Sequence, residues 1–174
     1  MSSIAVLQET QRYPWYAIRT KSRFEPLTLQ ALIGKGYDAY LPVYRNRKKW
    51  SDRIVELNVP LFPRYLFCRF DVSRRLPILT TPGVLSIVSF SKQPEPIEEE
   101  EIDAVKVVLS SGVLTEPCPF LREGHKVRIV RGALAGVEGI LVKKKNQCRV
   151  VISVTILQRS VSVEVDGDWV VDAR

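Results

Sequence analysis

The segment "PLFPRYLFCRF" (60–70) contains two prolines, three phenylalanines and a tyrosine within eleven residues. Proline cannot donate a hydrogen bond to a ladder, so Pro60 and Pro63 predict the approach to a strand rather than its middle. Beyond Arg64, alternate side chains share a face, with Tyr65, Phe67 and Arg69 on one side and Leu66, Cys68 and Phe70 on the other. Because both faces are largely apolar, we expect a strand covered on both sides, by the protein's own core or partly by another protein.

Strand and helix signals flank this segment. Four segments have the composition of strands, at 15–20, 37–44, 54–60 and 84–90. The segment "RNRKKWSDR" (45–53), between the second and the third, predicts a hairpin tip. Ser22 and Glu25 have capping-box spacing, which predicts a helix that ends at Gly34 or Gly36. A second helix is predicted over 96–109, with acidic residues in its first turns and a buried stripe formed by Ile102, Val105 and Leu109.

The pattern changes after residue 109. The segment "SSGVLTEPCP" (110–119) has the Gly, Pro and Ser content of a linker. Five short strand patterns follow, "KVRIV", "GILVKK", "CRVVISV", "SVSVEV" and "WVV", and five strands separated by tight turns predict a small closed β-barrel. The sequence therefore predicts an α+β protein with a disordered N-terminus (1–13), a first domain (14–109), the linker and a second domain (120–174).

Composition excludes several classes of protein. Hydrophobic residues make up 45% of the 174 residues and charged residues 26%, as in ordinary globular proteins. No uncharged apolar run of about 18 residues predicts a transmembrane helix, and no membrane partner is expected. The three cysteines, Cys68, Cys118 and Cys148, are widely spaced and suit neither a disulfide framework nor a four-ligand zinc site. We therefore expect a cytoplasmic monomer without metal or cofactor.

Charge is unevenly distributed along the chain. The net charge is +7, yet residues 1–94 contain 15 Lys and Arg against 6 Asp and Glu, whereas the nine residues 95–103 contain 6 acids and no base. A basic N-terminal half predicts a polyanionic neighbour, most simply nucleic acid. The alternative is that surplus bases only keep the protein soluble.

Glycine spacing in "EGHKVRIVRGALAGVEGILV" resembles the KOW motif of NusG-type elongation factors and some ribosomal proteins. The positions are Gly124, Val127, Ile129, Gly132, Gly136 and Gly139. The segments "WYAIRTKSRFE", "PLFPRYLFCRFD" and "TTPGVLSIVSF" occur in the order of a NusG N-terminal domain. The resemblance covers about residues 13–173, and "PLFPRYLF" with the basic hairpin is most similar to the specialised RfaH-like and UpxY-like antiterminators.

The resemblance implies a NusG-type α/β sandwich followed by a small SH3-like KOW barrel. It implies that the first domain binds the clamp helices of RNA polymerase through an apolar pocket, whose matching positions here are Tyr65, Phe67 and Phe90. The alternative for these residues is a plain core role. It also implies that the barrel recruits a further partner, such as a ribosomal protein or a termination factor.

Two groups of basic residues match positions where family members meet nucleic acid, either the non-template DNA strand or nascent RNA. The first contains Arg19, Lys21 and Arg23, and the second contains Arg45, Arg47, Lys48, Lys49, Trp50 and Arg53. Cations beside an aromatic ring can neutralise phosphates and stack on a base. The alternative for the second group is a solvated hairpin tip.

The two parts of the chain lead to one functional hypothesis with an alternative. The resemblance implies a transcription elongation and antitermination factor that suppresses pausing or termination at selected operons. "RRLP" (74–77) stands where RfaH-like proteins have a threonine-rich contact to the polymerase gate loop, and the β-branched residues of "RVVISVTI" predict a permanent barrel. The alternative is a ribosome- or RNA-binding KOW module. The only histidine, His125, has no catalytic partner in sequence, so no enzyme is predicted.

Overall fold

The computed structural model describes residues 13–120, 124–144 and 147–173, so the predicted disordered N-terminus lies almost wholly outside the described residues. The chain forms two compact units. One contains residues up to Val43 together with Phe62–Glu99, and the other contains Tyr44–Leu61 together with the chain from Glu100 onward. This mixture of few helices and many strands confirms the predicted α+β class.

The elements are, in chain order, β1 (Trp15–Thr20), α1 (Glu25–Gly34), β2 (Asp38–Tyr40), β3 (Val43–Trp50), β4 (Arg53–Pro60), β5 (Tyr65–Arg69), α2 (Leu76–Leu79), β6 (Val84–Ile87), β7 (Ser89–Phe90), β8 (Gln93–Pro94), β9 (Pro96–Ile97), α3 (Glu99–Ser110), β10 (Thr115–Cys118), β11 (Lys126–Ile129), β12 (Glu138–Lys144), β13 (Gln147–Val154), β14 (Arg159–Val165) and β15 (Val170–Asp172). None of the helices in the described part of the chain is long and apolar enough to cross a membrane.

The first unit is built on an antiparallel sheet with strand order β2-β5-β1-β6, and β9 also pairs with β1. Strand β1, which the composition of "WYAIRT" predicts as a strand, lies between β5 and β6, where its aromatic and β-branched residues fit a pleated buried surface. In the pairing of β1 with β5, Ala17 lies opposite Phe67 and Ile18 opposite Leu66. Alternate residues therefore face opposite sides of this sheet.

One side of the sheet forms a continuous hydrophobic core. Leu66, Cys68 and Phe70 of the opening segment pack there with residues from β1, both short helices and β6, namely Tyr16, Ile18, Leu32, Ile78 and Ile87. On the opposite side Trp15, Ala17 and Phe67 are also almost completely buried. Strand β5 is thus covered on both faces, which confirms the sequence-based expectation for it.

The start of α1 differs from the predicted capping box. The helix begins at Glu25, and its N-cap residue is Phe24 without a side-chain hydrogen bond, so Ser22 does not cap it. The carboxylate of Glu25 instead accepts a hydrogen bond of 2.8 Å from the backbone N–H of Arg64. A long-range backbone partner has therefore replaced the local cap, which a sequence pattern cannot reveal.

The acidic helix also differs slightly from the prediction. Helix α3 begins at Glu99 and buries Ile102, Val105 and Val108, whereas Leu109, predicted in the buried stripe, is only half-buried. A spacing of three residues at each step keeps these side chains on one face of the helix.

The C-terminal part contains six antiparallel strands in the order β10-β14-β13-β12-β11-β15. Five of them are the five predicted strands. The sixth, β10, falls within the segment predicted as a linker and pairs with β14, with Thr115 opposite Val163. Pro117 is tolerated there because β10 is an edge strand of this order. Among the described residues the end strands β10 and β15 do not pair with each other, so no ladder between them closes the predicted barrel.

Candidate functional site

Two of the three predicted pocket residues lie on β5 and differ in exposure. Phe67 has no exposed surface. Its ring meets Phe62 edge-on with centroids 6.1 Å apart and stacks against Tyr40 at 6.5 Å. Tyr65 begins the strand and is half-buried. Phe67 is therefore enclosed by aromatic residues of its own chain, and only Tyr65 of this pair reaches the surface.

The third predicted pocket residue, Phe90, is held out into solvent by a tight hairpin. Ser91 and Lys92, which join β7 to β8, have φ angles of 48° and 68°, as a two-residue type I′ turn requires. Phe90 is 70% exposed. Strand β7 follows Val88, whose N–H donates to the carbonyl of Ala17. Phe90 is therefore exposed and does not belong to the aromatic cluster formed by Phe67, Phe62 and Tyr40.

A buried arginine lies at the far end of the Phe67 face and was not singled out from the sequence. Arg69 is 7% exposed, and its guanidinium carbon lies 4.6 Å from the centroid of the Trp15 ring. Its Nε lies 3.5 Å from an Asp38 oxygen, and its Nη2 pairs with Glu99. A buried charge is tolerated only when it is paired. Arg69 therefore fixes the positions of Trp15, Asp38 and Glu99 around it. The sequence signal was a charge within an otherwise apolar strand.

The first basic group lies at the exit of β1. Arg19, Lys21 and Arg23 are all exposed. The backbone N–H of Lys21 donates to the carbonyl of Gly83, and its ammonium lies 5.9 Å from the centroid of the Phe24 ring. The three residues remain close in the structure because they follow one another along the end of the strand and the turn after it.

The second basic group does not form a hairpin tip. The tip of the β3–β4 hairpin is Ser51–Asp52, and the bases lie along the two strands. Prediction from sequence placed the turn too broadly, because consecutive bases in "RNRKK" resemble a loop although they alternate in a strand. All six residues of the group are exposed.

A cross-strand ion pair shows which residues of this hairpin share a face. Arg47 Nε lies 2.7 Å from Glu56 Oε1, so odd-numbered residues of β3 share a face with even-numbered residues of β4. Trp50, which is 57% exposed, consequently shares the other face with Lys48 and Arg53. Arg47 is partly neutralised by its carboxylate partner, whereas the Trp50 face presents an aromatic ring with two cations.

The glycine motif of the second domain corresponds to places where a side chain would not fit. A Cβ at Gly139 would lie 2.5 Å from the carbonyl oxygen of Val151, and one at Gly132, which has a φ of 78°, would lie 2.5 Å from the Trp169 ring. Val127 and Ile129, which lie between Gly124 and Gly132, are buried. Gly124 and Gly136 also have positive φ angles. The motif therefore has a structural role in strand packing and turns.

The lone histidine and the described acidic residues give no sign of a metal centre. His125 contacts Asp172 on an exposed surface. Within the part of the chain that the structure describes, no group of three or more His, Cys, Asp or Glu side chains could hold a metal ion.

A family model described as "Transcription termination factor nusG" matches residues 13–106. The match covers more than half of the chain and contains the whole sheet of the first unit. The chain belongs to the NusG family. Members of this family are transcription termination and antitermination factors rather than enzymes, and this confirms the general functional prediction.

Individual relatives agree with this assignment. The transcription termination/antitermination protein NusG of Helicobacter pylori is 24% identical over 173 residues, covering 87% of this chain and 93% of the relative. The protein of the same name from Campylobacter jejuni is 28% identical over 168 residues, covering 88% of this chain and 93% of the relative. A solved structure described as "Domain interaction in Thermotoga maritima NusG" covers 95% of this chain and 99% of its own, with a TM-score of 0.53 and 19% identity. These relatives agree with the family assignment, the solved structure agrees with the fold, and none of them distinguishes a specialised subtype.

Proposed function

We propose that this NusG-family protein binds RNA polymerase through its first unit and suppresses pausing or termination at a limited set of operons. The observation that carries the proposal is the exposure of Phe90. This side chain is 70% exposed beside a two-residue turn, whereas Trp15 and Tyr16 of β1 and Phe67 of β5 are buried. Exposed aromatic side chains are typical anchors of protein interfaces.

The proposed polymerase surface uses the three predicted residues in two different ways. Phe90 and the half-buried Tyr65 contact the clamp helices directly. Phe67, enclosed by Phe62 and Tyr40, supports the surface from within the core. This division keeps all three residues in the site while matching their different exposures.

Each basic group is proposed to form a nucleic-acid surface of its own. Arg19, Lys21 and Arg23 contact phosphates of the non-template DNA strand or of nascent RNA. In the hairpin, the Trp50 face is the better candidate for a single strand, because Trp50 can stack on a base while Lys48 and Arg53 neutralise phosphates. Arg45, Arg47 and Lys49 contribute positive charge from the opposite face.

The C-terminal strands are proposed to act as a KOW domain that recruits a ribosomal protein or a termination factor. Tethering such a domain to a polymerase-bound unit raises its effective concentration near the transcript. The specialised, operon-limited role rests on the similarity of "PLFPRYLF" and the basic hairpin to RfaH-like and UpxY-like proteins. In the place of the threonine-rich gate-loop contact, Arg74, Arg75, Leu76 and Pro77 are all exposed.

Affinity capture tests the proposed partner. The tagged full-length protein and its Phe90→Ala variant are incubated separately with purified RNA polymerase and with purified ribosomes. We expect the wild-type protein to retain polymerase and the variant to lose at least tenfold in affinity, the loss of one interface anchor of about 1.4 kcal/mol or more. Retention of ribosomes without polymerase would favour the alternative function in translation.

A further inference from the structure

Two arginines in the first unit adopt a backbone conformation that arginine rarely adopts. Arg23 has a φ of 66° and Arg64 a φ of 70°. A positive φ brings the Cβ of an L-residue too close to its own backbone, so such positions usually hold glycine or asparagine. Residues held in this region commonly mark functional sites, where the surrounding structure maintains the strain.

The structure shows what holds Arg64 in this conformation. Its backbone N–H donates to the buried carboxylate of Glu25 at 2.8 Å, and its carbonyl accepts from the N–H of Thr20, also at 2.8 Å. Both backbone polar groups of Arg64 are therefore fixed by neighbouring segments. Neither bond involves the side chain, which is exposed, so any residue would receive the same backbone support. The fold alone does not explain an arginine here.

The same contacts place Arg64 beside the first basic group. The pairing of Arg19 with Tyr65 and the hydrogen bond from Thr20 to Arg64 put Arg64 opposite the end of β1, where Arg19, Lys21 and Arg23 lie. Among the described residues, none of these four cations has a carboxylate within ion-pair distance. Four exposed bases without an ion-pair partner, on two adjoining segments of the described chain, produce a concentrated positive potential.

An exposed aromatic ring accompanies this charge. Phe24 is 40% exposed. A Cβ atom at Gly83 would lie only 3.1 Å from the Cβ of Phe24 and 3.2 Å from its ring, so the absence of a side chain at Gly83 lets the backbone pack closely against the phenylalanine. Phe24 is thereby fixed at its base and open at its edge. A fixed aromatic ring beside cations is the arrangement that stacks on a base while phosphates are neutralised.

We propose that Arg64, with Arg23 and Phe24, forms a binding site for the phosphodiester backbone and one base of a single-stranded nucleic acid at the end of β1. Arg64 contacts a phosphate from a backbone position that Thr20 and Glu25 hold opposite the end of β1. This site rests on the proposed function and enlarges the surface of the first basic group by Arg64 and Phe24, which lie outside the groups recognised from the sequence.

The test uses Arg64→Gly in the full-length protein and a matched control. Glycine removes the charge and also the backbone strain, so Arg64→Gly should melt at the same or a higher temperature than the wild type. Lys92 is the control, because it is also exposed, cationic and left-handed, with a φ of 68°, but lies in the β7–β8 turn. Lys92→Gly removes the same charge and the same kind of strain at another place.

Binding is measured by fluorescence anisotropy with a labelled 12-nucleotide single-stranded DNA and an RNA of the same sequence, without polymerase. Each lost phosphate contact lowers the slope of log affinity against log salt concentration by about 0.7. Over the range from 1 M to 0.1 M salt this corresponds to about a fivefold loss of affinity. We expect Arg64→Gly to show this loss and Lys92→Gly to bind like the wild type. Binding of the DNA, of the RNA or of both supports the site and shows which nucleic acid it accepts.

Three results would overturn the proposal: equal weakening by both variants, unchanged binding by Arg64→Gly, and no binding by the wild type. If Arg64→Gly melts lower than the wild type, Arg64→Asn, which also tolerates a left-handed backbone, must show the same loss of affinity with a wild-type melting temperature. Capture of RNA polymerase by Arg64→Gly is measured in parallel. If polymerase capture persists while strand binding is absent from the wild type, this site fails and the proposed polymerase binding stands.

Discussion

Alanine substitution should act mainly on folding at Phe67 and mainly on polymerase binding at Phe90. Phe67 has no exposed surface and is packed between Phe62 and Tyr40. Truncation of a buried phenylalanine lowers the free energy of unfolding by about 3–5 kcal/mol. For a protein of this size each kcal/mol corresponds to about 2–4 °C in melting temperature, so Phe67→Ala should melt roughly 6–20 °C below the wild type.

Phe90→Ala should leave stability nearly unchanged. The side chain is 70% exposed, and surface substitutions usually change the free energy of unfolding by less than about 0.5 kcal/mol. Its expected effect is on binding, where loss of an interface anchor weakens affinity at least tenfold. Differential scanning calorimetry and polymerase binding by interferometry measure the two quantities on the same preparations.

The two variants control each other because both remove one phenyl ring. Wild-type melting of Phe67→Ala would refute the packing described for β5. Wild-type polymerase affinity of Phe90→Ala would refute its role as an anchor. A double change at Tyr65 and Phe67 would combine an effect on folding with an effect on binding, since Phe67 contributes mainly to folding.

Two further predictions concern packing and pH. Gly139→Ala should lower the free energy of unfolding by about 1–3 kcal/mol, because the new Cβ would lie 2.5 Å from the carbonyl oxygen of Val151. Gly34→Ala is the control: a Cβ there has nothing within 4 Å, so this variant should be neutral or more stable by up to about 1 kcal/mol. Urea unfolding measures both free energies. Burial raises the pKa of Tyr40 from 10.0 to about 12, so its neutral form is favoured in the folded state. The contribution of Tyr40 to the free energy of unfolding is fully present below pH 10 and is lost as the pH rises from 10 to 12. Tyr40→Phe should therefore lose less stability over that range than the wild type. An identical pH profile for the two proteins would contradict the raised pKa.

The sequence predicted regular elements well where local pattern and tertiary packing agree. Strand β1 has the predicted boundaries because "WYAIRT" has strong strand propensity and is buried in the sheet. The end of α1 at Gly34 also agrees. Its start does not, because the carboxylate of Glu25 is used by Arg64, far away in sequence. Local patterns cannot show such competition for a hydrogen-bonding group.

The candidate site was only partly predictable, for reasons that differ between residues. An alternating strand with two apolar faces does not show which face is covered by the chain itself, so the enclosure of Phe67 could not be predicted. The sequence "PRY" gave no sign of a left-handed backbone at Arg64, because that conformation is imposed by Thr20 and Glu25. The alternation of bases in β3 was likewise hidden by their loop-like composition.

Single-round transcription by purified RNA polymerase tests the central claim most directly. Pause half-life and read-through of a terminator are measured on one template with no addition, with the full-length protein and with Phe90→Ala at equal concentration. We predict that the wild-type protein shortens the pause and increases read-through, and that the variant, folded to the same melting temperature, requires at least a tenfold higher concentration for the same effect. An unchanged pause half-life at concentrations that saturate polymerase binding would contradict the proposed function.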